Sequence, residues 1–160
     1  MVILVMGATG AGKTTVGKLL ARRLDWVFLD ADDFHSEANR EKMHRGIPLS
    51  EADRGPWLDA IHDELLWRTR EGEDIVLACS ALRQAYRETL GSGLKMKIVF
   101  LRGSPEQLRH NLAARQDHFA GEDLVPSQLA TLEEPSDALV EEISLSSEEI
   151  VERICSRLSS

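Results

Sequence analysis

Residues Gly7 to Thr14 read GATGAGKT, the spacing G-x-x-x-x-G-K-[ST]. Each position in that string has a chemical use. The glycines let successive backbone N–H groups turn toward one anion. A helix beginning at Lys13 adds unpaired N–H donors and the positive end of its dipole. Lys13 offers a point charge to β- and γ-phosphates, and the Thr14 hydroxyl can ligate Mg²⁺. The expected triphosphate contacts are therefore Gly7, Ala8, Thr9, Gly10, Ala11, Gly12, Lys13, Thr14 and Thr15. An ordinary glycine turn is the plainer reading, but the apolar run before the string and the helical pattern after it supply the context that a phosphate loop needs.

A phosphate loop alone does not separate a kinase from a motor, a transporter ATPase or a GTPase switch. Neither Ile75–Cys79 nor Val99–Leu101 ends in the carboxylate that commonly supports magnesium in such ATPases, and no N-K-x-D string is present. Carboxylates stand instead at the end of the second apolar run, in LDADDFH from Leu29 to His35. Asp30 and Asp32 are two apart, so in an extended chain they project from one side. The carboxyl end of a parallel strand is where open α/β sheets bind ligands. Asp30 is assigned to the Mg²⁺ shell through water, and Asp32 to the base that accepts a hydroxyl proton. A solvated acidic turn is the competing reading.

The elements that must position these groups are legible as alternating runs. Strands are expected at Val2–Met6, Trp26–Leu29, Ile75–Cys79 and Lys97–Leu101, with a weaker one at Leu139–Leu145. Lys13–Leu24 reads as a helix with Val16, Leu19, Leu20 and Leu24 on one face. Ser50-Glu51-Ala52-Asp53 resembles a capping box opening a long helix through Trp57, Ile61 and Leu65. Ser104-Pro105 and Ser146 mark two more helix starts. Continuous apolar strands separated by helices indicate an α/β fold with a parallel sheet covered on both faces. Two stretches fall outside the alternation: an insert from Asp33 to about Trp57, and a loop from Gln116 to Pro126.

Length and charge narrow the class further. One domain over residues 1–160 is expected, and an apolar content of 42% suffices for one core. The apolar start at Met1–Met6 has no basic flank and runs into the glycine loop, unlike a signal peptide or a membrane span. Cys79 and Cys155 suggest neither a disulfide framework nor a metal cluster, so a cytoplasmic location is expected. A net charge of −8 argues against nucleic acid as a partner. Eleven acidic residues and no Lys or Arg lie between Asp117 and Glu152, whereas residues 1–116 are nearly neutral with 17 basic and 16 acidic groups. An anionic substrate is thus expected to meet the first three quarters of the chain.

The chain resembles the small P-loop gluconokinases. The resemblance rests on MGATGAGKTTVGKLLA, FLDADDFH, EKMHRGIPLSEADRGPWL, VLACSALR with YR following, and ARQDHF with LEEP, in order from residue 6 to about 135. The phosphate loop is generic; D-x-D-x-x-H followed by G-x-P-L and D-R-x-P-W-L is specific. The resemblance implies a P-loop three-layer sandwich of the nucleoside-monophosphate-kinase type, strand order 2-3-1-4-5, with a lid over ATP. It implies transfer of the γ-phosphate of ATP, with Mg²⁺, to the 6-hydroxyl of D-gluconate, and a possible homodimer. A polyol acid needs cations for its carboxylate and polar groups for its hydroxyls, and Arg can clamp a carboxylate with two bonds. Asp32, His35, Arg54, Ser80 and Arg83 are the expected substrate contacts, while Lys42 and Arg87 are as readily structural. His44, His62 and His110 read as helix-surface residues, Trp57 as a pocket wall and Cys79 as packing. In the lid Arg115 is expected to stabilise the transferring phosphoryl group. The family reads R-K-G-H-F there; this chain has R-Q-D-H-F, with Gln116 and Asp117 replacing a cation and a glycine. Gln128 either faces the substrate or is a surface amide. Two other readings stay open: a shikimate-type small-molecule kinase, and a nucleotide-dependent binding module.

Overall fold

The computed structural model describes residues 1–114 and 124–159. In chain order the elements are β1 (Val2–Met6), α1 (Lys13–Leu24), β2 (Val27–Asp30), a 3-10 turn (Ala31–Phe34), α2 (Glu37–His44) and α3 (Glu51–Arg70). They continue with β3 (Ile75–Ala78), α4 (Gln84–Gly91), β4 (Met96–Arg102), α5 (Pro105–Ala113), α6 (Leu124–Thr131), β5 (Leu139–Glu142) and α7 (Ser147–Leu158). The sheet order is β2-β3-β1-β4-β5, with every pairing parallel, as the resemblance implied.

β1 is central, and every residue in it is buried. Because side chains alternate across a strand, its two sets feed two different cores. Ile3 and Val5 pack with Val16 and Leu20 of α1, Leu108 and Leu112 of α5, Val125 of α6 and Ile150 and Ile154 of α7. Val2, Leu4 and Met6 pack on the opposite face with Trp57, Ile61 and Leu65 of α3 and Leu90 of α4. β2 has a single strand neighbour and is only half-buried along its length.

Two features of the insert and the loop differ from expectation. The insert contains a helix of its own, α2, which no apolar periodicity announces. Its polar sequence is held by side chains: the Ser36 hydroxyl caps Asn39 N–H, and the Asn39 amide, itself buried, donates to the Asp53 carbonyl. Residues 124–126, expected to be loop, form the first turn of α6. Pro126 is tolerated there because first-turn N–H groups have no intrahelical acceptor, and buried Val125 ties the turn to the core. Residues 115–123, which hold Arg115, Gln116 and Asp117, lie outside the described residues.

Four helix starts share one device, and α1 departs from it in an informative way. α2, α3, α5 and α7 each begin after a serine whose hydroxyl accepts a first-turn N–H. α1 begins after Gly12, which has no side chain to offer, and its first turn holds no acid. Its leading N–H donors are left for a ligand.

α2 is fastened to α3 where α3 begins. Lys42 Nζ lies 2.8 Å from Asp53 Oδ2, and the same carboxylate accepts Ser50 N–H in the capping box. The Lys42 hydrogen bond, then the Ser50 backbone, pull the Asp53 carboxyl down to about 2 from its ordinary 3.8. A depressed carboxyl stabilises the fold above its unfolded value and loses that contribution as pH falls through the folded one. Asp53→Asn is therefore expected to melt below the wild type at neutral pH, with the gap closing as pH is lowered toward about 2. Thermal unfolding of both proteins across a pH series checks this.

Candidate active site

The phosphate loop joins β1 to α1 with its glycines in left-handed backbone. Gly10 has φ 87° and Gly12 φ 89°, values that side chains resist. Lys13 Nζ donates to the Ala8 carbonyl at 3.1 Å across the loop. The Thr14 hydroxyl donates to Asp30 Oδ2 at 3.0 Å, which joins the loop to the end of β2.

Asp30 and Asp32 do converge, but not through strand alternation. The chain leaves the sheet at Asp30 and winds into the 3-10 turn, so the expectation of an extended pair is corrected. Asp30 Oδ1 accepts the Asp32 N–H at 3.0 Å and caps that turn. Trp57 Nε1 donates to the Ala31 carbonyl at 2.8 Å, and Arg40 donates to the carbonyls of Asp32 and His35. Partial burial, then the negative charge of Asp30, push the Asp32 carboxyl above its ordinary value; Lys13 and His35 offset part of the rise. A raised carboxyl that keeps an exposed face is suited to taking a proton.

His35 stacks on Trp57 with ring centroids 4.3 Å apart and planes 10° from parallel. Its Nδ1 is buried without a hydrogen-bond partner. Burial pulls the imidazole below its ordinary value, opposed by Asp32 and assisted by Arg40 and Arg54. Arg54 lies over the Tyr86 ring at 5.8 Å and donates to Glu51 Oε1 at 3.1 Å, an oxygen that also accepts the Tyr86 hydroxyl at 2.6 Å. Arg83 adds its charge to the same group, lowering Glu51 and opposing the rise at Tyr86. Arg54 thus joins two groups: it acts on His35, which faces Asp32, and it shares Glu51 with Arg83. Ser80 stands half-buried just beyond the carboxyl end of β3.

Two cations weighed in the sequence are committed elsewhere. Lys42 holds Asp53. Arg87 is buried and donates to the carbonyls of Ala81 and Glu133, each at 2.7 Å. Ala81 sits at φ 45°, a strained value for alanine, in the loop that carries Ser80 and Arg83. The Glu133 carboxylate accepts Gln84 N–H at 2.7 Å and so caps α4. The YR and LEEP strings, far apart in the chain, are therefore one structural clasp under the site. Cys79 is buried, and burial pushes its thiol up to about 12, leaving it protonated packing.

Gln128 neither faces the substrate pocket nor sits as a free surface amide: its Oε1 accepts Thr9 N–H at 2.6 Å. Asn111, passed over in the sequence, donates to the Gly10 carbonyl at 2.9 Å. Tyr86, Glu51 and Arg40 also escaped notice. Tyr86 and Glu51 lie inside the quoted strings and Arg40 directly before one, but exposed polar residues are common on any surface.

Among the described residues, no group of three or more His, Cys, Asp or Glu forms a metal cluster. Thr14 and Asp30 bring hard oxygen donors to one point, a pair suited to Mg²⁺ that keeps water and phosphate ligands. No described helix is long and apolar enough to cross a membrane.

The profile of a family described as AAA domain matches residues 2–135. A gluconokinase of Gluconobacter oxydans is 48% identical over 136 residues, covering 84% of this chain and 76% of that protein. The chain belongs to the gluconokinase family. A gluconokinase structure from Sinorhizobium meliloti matches with a TM-score of 0.83 at 34% identity, covering 98% of this chain and 94% of that one. A sugar kinase from Janibacter matches with a TM-score of 0.91 at 36% identity, covering 99% and 94%. Membership in the gluconokinase family accounts for the pairing of a phosphate loop with a polar insert on the neighbouring strand end.

The clasp beneath the site has a measurable weight. Arg87→Met is expected to lower unfolding stability by about 2–4 kcal/mol, because two charge-assisted hydrogen bonds go and two carbonyls lose their partner. Urea unfolding followed by tryptophan fluorescence measures it.

Proposed function

We propose that the protein transfers the γ-phosphate of ATP to the 6-hydroxyl of D-gluconate, giving 6-phospho-D-gluconate and ADP. The observation that carries this reading is the Thr14–Asp30–Asp32 connection, which sets a base-competent carboxyl beside a phosphate loop. A nucleotide hydrolase needs no second acceptor pocket. Here the base has His35 beside it, Arg54 adds its charge to His35, and Arg83 shares Glu51 with Arg54, groups suited to hydroxyls and to a carboxylate.

In this reading the loop N–H groups and Lys13 hold the β- and γ-phosphates. A cavity of about 390 Å³ beside Asn111, lined by Glu106, Gln107, His110, Ile143 and Ser144, receives the nucleoside. Mg²⁺, held by Thr14 and through water by Asp30, would neutralise phosphate charge. Gluconate lies with its carboxylate toward Arg54 and Arg83 and its hydroxyls toward His35 and Ser80. Asp32 accepts the 6-hydroxyl proton as that oxygen bonds to the γ-phosphorus. The bond from phosphorus to the β–γ bridging oxygen breaks, and ADP leaves with the electron pair. Arg115 is assigned to the charge on the transferring group. Positioning and charge neutralisation supply most of the rate.

A coupled ADP-release assay over gluconate, other aldonates, shikimate and nucleoside monophosphates tests the assignment. Gluconate is expected to give the highest kcat/KM; a much faster acid would replace it, and no substrate-stimulated release would remove the kinase reading. Asp32→Asn is expected to lose at least about a hundredfold in kcat, the usual scale of a general base, while ADP still binds. In the wild type, kcat/KM is expected to fall as pH drops through the raised Asp32 value, since only the ionised form takes a proton.

A further inference from the structure

The tip of the phosphate loop is a tight turn held from outside by two amides. Ala11 N–H donates to the Ala8 carbonyl at 3.1 Å, closing a four-residue turn. Its third residue, Gly10, has φ 87°, the glycine-favouring value of a type II turn. A side chain at Gly10 would also place its first carbon 2.5 Å from the Leu108 carbonyl, so α5 packs directly on the turn.

The two amides act on the two peptide units that flank the central one of this turn. A trans peptide is planar, and its N–H and C=O point in opposite directions. Gln128 of α6 takes the Thr9 N–H at 2.6 Å. The other end of that peptide, the Ala8 carbonyl, must then face the opposite way, where it meets both Ala11 N–H and Lys13 Nζ at 3.1 Å. Asn111 of α5 donates to the Gly10 carbonyl at 2.9 Å. That peptide's N–H, on Ala11, is likewise turned inward. The roles are set by the partners: Thr9 N–H needs an oxygen and the Gly10 carbonyl needs an N–H, so one amide accepts and the other donates. Both are uncharged, so neither competes with a phosphate for Lys13.

We infer that Gln128 and Asn111 are positioning residues for the nucleotide phosphates. They hold the Ala8–Ala11 turn in its binding shape before the nucleotide arrives, so that ordering the loop is not charged against nucleotide affinity. Phosphate affinity is thereby set by α5 and α6 as well as by the loop's own residues. The inference rests on the reading of the loop as an ATP site.

The test is calorimetric titration of ADP into the full chain, wild type against Gln128→Met and Asn111→Leu. Both substitutions keep the side-chain bulk and remove the hydrogen bond. Each is expected to weaken ADP binding about five- to tenfold, the scale of one net hydrogen bond, with KM for gluconate held within about twofold. A nucleotide-specific loss of this kind is not what general loosening of the fold would give. The inference is overturned if both variants bind ADP within about twofold of wild type, or if ADP affinity and gluconate KM worsen in equal proportion. Should one variant fail to fold, the other carries the same readout. Wild-type protein that binds no ADP would overturn the nucleotide reading itself, whereas unchanged variants beside a binding wild type overturn this inference alone.

Discussion

The carboxylate of Asp30 is the point on which the site's geometry depends. One oxygen accepts the Thr14 hydroxyl and the other accepts the Asp32 N–H. The first bond ties the phosphate loop to the neighbouring half of the sheet. The second bends the chain out of β2 into the 3-10 turn that aims Asp32 and carries His35. A single short side chain at a strand end thereby sets the distance between the glycine loop and Asp32, the proposed base. The charge of Asp30 also adds to the effect of burial in raising the Asp32 carboxyl, so Asp30 bears on position and on proton affinity.

Around that centre, the polar groups that touch the expected ligands are supported by others that do not. Trp57 holds Ala31 from below and stacks on His35, Arg40 clasps the turn's carbonyls, and Arg87 steadies the strained loop at Ala81. Asn111 and Gln128 do the same for the phosphate loop. Loops at the carboxyl ends of parallel strands have little regular hydrogen bonding of their own, so side chains from neighbouring helices supply it. This explains why several long polar residues near the site contact backbone. An Arg beside a loop of unpaired carbonyls has donors in a fixed fork and finds acceptors there before any ligand arrives.

The acidic last quarter of the chain has a structural use in part. Glu141 of β5 is buried and bonds Arg153 and Arg157 of α7, while Glu133 caps α4. That stretch of negative charge therefore includes two residues that fasten helices to the sheet and its loops.

What the sequence by itself determined is local. Spacing alone marks Gly7–Thr14, because each glycine, the lysine and the threonine answer a requirement met within a few residues of chain. Apolar runs located all five strands to within a few residues, and Ser-x-x-Asp and Ser-Pro-x-Gln marked two caps, for the same reason: period and capping are short-range physics. The tertiary structure decided what each cation bonds. Arg54 lies over the Tyr86 ring and bonds Glu51, whereas Arg87 is buried and bonds the carbonyls of Ala81 and Glu133. It also decided the 3-10 turn after Asp30, the polar helix α2 and the grip of Asn111 and Gln128 on residues 9 and 10. Each of these depends on partners from 11 to 119 residues away, and a side chain's type records what it can bond but not which distant backbone group the fold brings to it.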